Sequence, residues 1–259
     1  MLLAIDVGNT QTQLGVFRDD KLIHQWRAST NQSRTADELA LLFGEFLSLA
    51  DLSFSRQITG VVVASVVPRS TQEIRDMTER YFGFPPVVVE PGIKTGLAIH
   101  TDNPREVGAD RIANAVAARD MFPGEASVVI DFGTAITVDA VSARGEYLGG
   151  AIAPGIDTAA SALFQSTAQI SRVQLIAPPT AIGKTTVTSV QSGTVYGTAG
   201  LVDGLVERVV AELGGRARII ATGGLAPTVI EHCRTVETVE PLLTLNGLRL
   251  IYERNAEAD

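Results

Sequence analysis

The chain has 259 residues, 45% hydrophobic and 19% charged, the composition of an ordinary globular protein long enough for one large domain or two compact lobes. Its 21 basic and 29 acidic residues leave a net charge of −8, which repels phosphodiester backbones and anionic membranes, so neither nucleic acid nor membrane is expected as a partner. Cys233 stands alone, which excludes an intrachain disulfide and a cysteine-built metal site and fits a reducing cytosol. No basic leader or apolar core precedes Asp6, and no apolar run approaches the roughly 20 residues of a membrane helix, so a cytoplasmic protein is expected.

Leu2 to Val7 is an apolar run ended by Gly8-Asn9-Thr10 and resumed from Leu14 to Phe17, the pattern of two strands joined by a glycine-containing turn; Lys21 to Ala28 adds a third strand. A helix is predicted over Thr35 to Ala50, where Thr35 and Glu38 have capping-box spacing and Leu39, Leu42, Phe43, Phe46 and Ala50 recur at helical intervals. A buried strand at Val61 to Ala64, a helix from Ser70 to Phe82 and a strand at Val87 to Glu90 follow in α/β alternation. A helix begins near Ala109. Then the opening pattern returns: Val128-Val129-Ile130 runs into Asp131-Phe132-Gly133-Thr134, with a second strand from Ile136 to Val141. Asp131 lies 125 residues after Asp6, about half the chain, too long a period for a solenoid. The echo predicts two related lobes, 1–114 and 115–259, each presenting an Asp-x-Gly turn to a shared cleft.

Phosphoryl transfer from a nucleotide needs amides or hydroxyls around the phosphates, a divalent cation, and a base beside the acceptor oxygen. The turn from Asp6 to Gln13 carries such groups: Gly8 admits close approach of the main chain, Asn9, Thr10 and Thr12 carry donors, and Asp6 can hold Mg²⁺ directly or through water. An ordinary hairpin turn has the same composition, and the second copy at Asp131 and Thr134 tips the reading toward a pair of clamps. Gly108-Ala109-Asp110-Arg111 opens an apolar helix and suits either an anionic substrate group or simple capping by Asp110 beside a surface Arg111. Gly149-Gly150 through Pro154-Gly155, and Thr222-Gly223-Gly224 after the strand Ile219 to Ala221, could let backbone approach a ligand or serve the turns alone. Gly183-Lys184-Thr185 imitates the end of a Walker A loop, but Pro178 stands where its first glycine belongs. His24, His100 and His232 are scattered without spaced partner ligands, and Cys233 has no activating pattern beyond His232, so all four are expected to be bystanders.

In order along the chain, Asp6-Val7-Gly8-Asn9-Thr10 with Gly15-Val16-Phe17, Pro91-Gly92-Ile93-Lys94-Thr95-Gly96, Asp102-Asn103-Pro104, Gly108-Ala109-Asp110-Arg111, Asp131-Phe132-Gly133-Thr134, Gly149 to Gly155 and Thr222-Gly223-Gly224 resemble the type III pantothenate kinases. The resemblance covers most of the chain. It implies two related actin-like, ribonuclease H-like lobes with mixed sheets flanked by helices, and ATP-dependent phosphorylation of the pantothenate hydroxyl, the first step toward coenzyme A. By that likeness Asp6, Val7, Gly8, Asn9, Thr10, Gln11, Thr12, Gln13 and Thr134 bind ATP, Asp131 holds a monovalent cation such as K⁺ or NH4⁺, and Asp110 is the base. Gly108, Ala109, Asp110 and Arg111 bind pantothenate, with Thr186 reaching it from the second subunit of a homodimer. Thr185 stands where the family places asparagine, and Thr101 where many members place tyrosine. A non-catalytic regulator of the same fold and a kinase of another small hydroxylated substrate are the alternatives.

Overall fold

The computed structural model describes residues 1–166 and 172–256. Antiparallel strands β1 (Leu2–Val7), β2 (Gln11–Arg18) and β3 (Lys21–Ser29) lead into helix α1 (Ala36–Ser48). The expected capping box starts that helix: the Thr35 hydroxyl accepts from the Glu38 amide, and the Glu38 carboxylate accepts from the Thr35 amide at 2.9 Å. Next come α2 (Phe54–Gln57), β4 (Gly60–Ser65), α3 (Pro68–Phe82) and the short β5 (Val87–Val88) and β6 (Ala98–Ile99). After α4 (Ala109–Met121), the run β7 (Ser127–Phe132), β8 (Ala135–Val141) and β9 (Glu146–Pro154) repeats the opening layout. The chain ends with α5 (Ile156–Ser166), α6 (Thr186–Glu212), β10 (Arg218–Thr222), α7 (Ala226–Ile230), β11 (Thr238–Val239) and α8 (Leu243–Ala256).

Two compact units result. The first comprises Met1–Leu97, Asp102–Ala117 and helix α8; the second comprises Ala98–Thr101 and Ala118–Leu242. The boundary within α4 lies close to the one expected near Asn114, but the expected second lobe of 115–259 is not continuous: α8 belongs to the first unit. The reason is packing. Leu243, Leu245, Leu248 and Ile251 of α8 are fully buried, and Gly15 of β2 leaves room for Leu245. Residues 167–171 and 257–259 of that expected lobe lie outside the described residues.

The first unit has the sheet order β3-β2-β1-β4-β5, with β1 antiparallel to β2 and parallel to β4. One face, carrying Leu3, Ile5, Val7, Leu14, Val61 and Val63, buries its apolar side chains against Leu39, Phe43 and Leu47 of α1 and Ile74 and Met77 of α3. Each such burial is worth about 2 kcal/mol. The second unit has the order β11-β10-β7-β8-β9-β6 and packs Val128, Ile130, Ile136 and Val138 against Val195, Val202 and Val206 of α6. Stripped of β6, the two orders and strand directions are the same. Strand β7 starts 125 residues after β1, and β9 starts 125 after β3, so the repeat read from the two Asp-x-Gly turns is a repeat of topology. In both units the aspartate is the penultimate residue of the strand where the sheet changes from antiparallel to parallel. Ligands of open α/β sheets gather at such carboxyl ends.

Candidate active site

At the end of β1, register pairs Asp6 with Gln13 and Val7 with Thr12. The Gly8 amide donates to the Gln11 carbonyl at 3.0 Å, and a Cβ on Gly8 would stand 3.1 Å from that same oxygen, which makes glycine the comfortable residue there. Asn9, Thr10 and Gln11 are exposed at the tip, while Asp6 and Gln13 are half-buried. The Gln13 Nε2 is buried and has no hydrogen-bond partner among the described residues, an amide donor facing the same side of the sheet as the Asp6 carboxylate. Two of the expected ATP residues point inward instead. Val7 is 2% exposed in the α1–α3 core, with its carbonyl accepting from Val66 N–H at 3.1 Å. Thr12, expected to bring a donor to phosphate, is buried with its hydroxyl 2.9 Å from that of Thr30. The cause is strand alternation, which sends residues 7 and 12 to the core face and 6 and 13 to the other.

The second turn gathers three separated stretches. Asp131 pairs in register with Thr222, the last residue of β10, and Gly223 follows at φ +101°. A Cβ at Gly223 would lie 2.6 Å from both Asp131 Oδ1 and Phe132 N, so the glycine cradles that carboxylate by having no side chain. Thr134 is exposed at the tip; its carbonyl accepts from the Gly155 amide at 3.1 Å and from the Thr158 hydroxyl at 2.8 Å. Thus Asp131-Phe132-Gly133-Thr134, Pro154-Gly155 and Thr222-Gly223 meet at one end of the sheet, where α5 begins.

Helix α4 opens at the Gly108-Ala109-Asp110-Arg111 stretch: the Gly108 carbonyl accepts from Ile112 N–H at 3.1 Å, and the Asp110 carboxylate accepts from the Arg111 amide at 2.8 Å. A Cβ at Gly108 would fall 2.5 Å from Asp110 Oδ1, so glycine leaves space for the carboxylate. Ala109 is buried, whereas Asp110 and Arg111 are both half-buried. Asp110 thus satisfies one first-turn amide from inside the helix, and Arg111 is not the open-surface side chain that a purely capping role would leave.

Thr186 is the exposed first residue of α6. Thr185 is its N-cap, exchanging hydrogen bonds with Thr188 at 3.1 and 3.2 Å. Threonine caps helices well, as asparagine does. Gly183 packs against the main chain of Ser189, and no strand occurs between residues 172 and 185, so the Walker A likeness has no structural basis. Pro91 to Gly96 serves the first unit's packing: Thr95 O accepts from Arg254, and Lys94 exchanges two hydrogen bonds with Asn255, both partners on α8. The Thr101 hydroxyl is buried beside Gly149 with no hydrogen-bond partner among the described residues. Burial pushes the Cys233 thiol up to about 11, aided by the Asp203 charge, which suits the bystander role expected of it. His24 stacks on Trp26 and His232 packs edge-on to Tyr196.

Among the described residues no cluster of three or more His, Cys, Asp or Glu could hold a metal ion by itself. A cation at either aspartate would therefore share its coordination with phosphate or water oxygens. A groove of about 700 Å³ lies at the amino ends of β7 and β10, lined by Glu125, Val206, Arg216, Arg218, Arg234 and Glu237, and no expected site residue lines it.

Two sheets of one topology, each ending its central strand in an Asp-x-Gly turn, define the actin-like fold class. Solved structures agree on the fold: a Campylobacter jejuni protein assigned to the Baf transcriptional-activator family matches with TM-score 0.63 at 19% identity, covering 98% of this chain and 99% of its own. The ROK hexokinase of Thermus thermophilus matches with TM-score 0.53 at 14% identity, covering 99% of each chain. The family model described as type III pantothenate kinase matches residues 2–208. Type III pantothenate kinases of Moorella thermoacetica and Acidothermus cellulolyticus are 49% and 52% identical over 98% of this chain, covering 100% and 99% of their own lengths. The chain belongs to the type III pantothenate kinase family.

Proposed function

We propose that this enzyme transfers the γ-phosphoryl group of ATP to the primary hydroxyl of pantothenate, giving 4'-phosphopantothenate and ADP at the entry to coenzyme A biosynthesis. Full-length identity near 50% to pantothenate kinases carries the reading, and the aspartates at 6, 110 and 131 supply groups the chemistry needs. The turn from Asp6 to Gln13 holds the ATP phosphates through Gly8, Asn9, Thr10, Gln11 and the unpartnered Gln13 amide, with Val7 and Thr12 as its inner supports; Thr134 adds a hydroxyl. Arg111 pairs with the substrate carboxylate beside Gly108 and Ala109. As the hydroxyl oxygen bonds to phosphorus and the bridging Pγ–O bond breaks, the hydroxyl proton passes to the Asp110 carboxylate. The chemistry of the Asp6 carboxylate fits Mg²⁺ carried with ATP, and the Gly223 cradle around Asp131 fits a monovalent cation such as K⁺ or NH4⁺. Such cations neutralise charge on the phosphates.

A cytoplasmic homodimer completes the reading, with Thr186 of each copy reaching pantothenate in the other. Its support is on α6, where Gly193, Gly197 and Gly200 are exposed with open space around them, flanked by the exposed Val187 and Leu201. No described helix is long and apolar enough to cross a membrane.

The test is ADP release from ATP, Mg²⁺ and pantothenate, measured in K⁺ and in Na⁺. Pantothenate-dependent turnover is expected, faster in K⁺. Asp110→Asn is expected to lower kcat by about 10²-fold or more, the usual contribution of a positioned base, with the melting temperature little changed. Wild-type turnover by that variant removes Asp110 from the mechanism.

A further inference from the structure

We infer that Thr30 is a positioning residue for the phosphate-binding turn. The inference rests on the assignment of the Asp6 to Gln13 turn to ATP. Thr30 follows β3 directly and touches both arms of the turn between β1 and β2. Its amide donates to the Thr10 carbonyl at 2.9 Å, and its hydroxyl donates to the Gly8 carbonyl at 2.7 Å. A hydroxyl has one proton. With that proton on Gly8, the 2.9 Å contact between the Thr30 and Thr12 hydroxyls runs from Thr12 to Thr30. Thr30 thus accepts from β2, donates to the residue after β1, and donates again near the tip. One side chain and one amide fix three points of a turn whose outer residues Asn9, Thr10 and Gln11 are exposed.

The orientation of the amides follows from this. Carbonyls of Gly8 and Thr10 are drawn toward Thr30, so each peptide plane they belong to is fixed, and with it the N–H of the next residue. Those are the amides of Asn9 and Gln11, the donors a phosphate would use. A turn held in this way binds phosphate without first giving up its own freedom. The sequence carries no signal of this, because Thr30 lies in no glycine motif and stands 20 residues from the tip.

Three variants measured for KM of ATP, KM of pantothenate, kcat and binding of a non-hydrolysable ATP analogue by calorimetry test the inference. Thr30→Val keeps the shape and removes both hydroxyl bonds; KM for ATP and the analogue Kd are expected to rise about tenfold, equivalent to about 1.4 kcal/mol, while KM for pantothenate stays within about twofold. Thr30→Ser keeps the hydroxyl and is expected to restore both values to wild type. Thr30→Ala is expected to follow Val. Unchanged ATP parameters in Thr30→Val overturn the inference, as does an equal loss in Thr30→Ser, or a matching rise in both KM values. Wild-type protein that neither binds the analogue nor turns over would sink the ATP assignment itself and the inference with it; a competent wild type beside an unaffected Val variant sinks the inference alone.

Discussion

Asp203, on α6 and 3% exposed, shows at one residue how this fold answers the cost of burying charge. Burial by itself would raise its pKa, but the Thr235 hydroxyl at 2.8 Å, the amides of Arg234 and Thr235 at 2.9 and 3.0 Å and the Arg234 guanidinium outweigh it, so the carboxyl titrates below the ordinary range. A depressed folded-state pKa contributes stability that is present above the unfolded carboxylate value, near pH 4, and is lost as pH falls through the folded value. Thermal melts are therefore expected to show wild type losing its advantage over Asp203→Asn as pH falls below about 5, the gap narrowing progressively in acid. A gap between them that stays constant from pH 7 to pH 3 would refute the assignment. The same residue-scale logic separates Thr12 from its neighbours. The Asp6-to-Gln13 stretch stands out in the sequence as a candidate phosphate turn, yet which of its residues face outward depends on strand alternation and on Thr30, which no local motif marks.

Among the elements, α6 carries the clearest conflict between local preference and observed structure. Glycine in a helix interior costs about 1 kcal/mol relative to alanine, and this helix of 27 residues holds Gly193, Gly197, Gly200 and Gly204. At helical spacing these fall on one stripe, opposite the buried Val195, Val202 and Val206. Beyond the helix's own backbone, none of the described residues lies within 4 Å of a Cβ built on Gly193, Gly197 or Gly200, so packing among them gives no reason for these glycines. Close approach of a second copy, in the dimer proposed above, would supply one. Gly197→Leu is expected to convert a dimer to a monomer in sedimentation at micromolar concentration while far-UV circular dichroism stays the same; an unchanged dimer would place the interface elsewhere. The glycines also explain why periodicity did not reveal α6, whereas α1 announced itself through Thr35, Glu38 and a regular apolar stripe. Sequence reading found β1, β4 and β7 by a different signal, unbroken apolar runs ended by turn residues. It missed β6, β11 and α7, which have two to five residues and are held by their neighbours.

At the scale of the whole molecule, the 125-residue repeat was legible because both aspartate turns kept their residues, but the return of α8 to the first unit was not, because nothing local says which sheet an amphipathic helix will cover. That return has an energetic consequence. Leu243, Leu245, Leu248 and Ile251 are each 0% exposed, and at about 2 kcal/mol apiece their burial is comparable to the 5–15 kcal/mol net stability of a typical domain. Gly247 lies flush on Ala113 of α4, and the Thr244 hydroxyl donates to buried Asn114 at 2.8 Å, so α8 also fixes the helix that begins at Gly108 and carries Asp110 and Arg111. The family model matches residues 2–208, short of α8, yet the helix behind the proposed base is seated by α8. Leu248→Ala is expected to cost about 2–5 kcal/mol, the range for a large-to-small change in a packed core, read as a lowered midpoint in urea unfolding. Because Gly247 and Thr244 of the same helix seat α4, kcat in the surviving folded fraction is expected to fall with it. A variant with wild-type stability would show that α8 is held by its polar contacts to Asn114, Lys94 and Thr95 rather than by its apolar face.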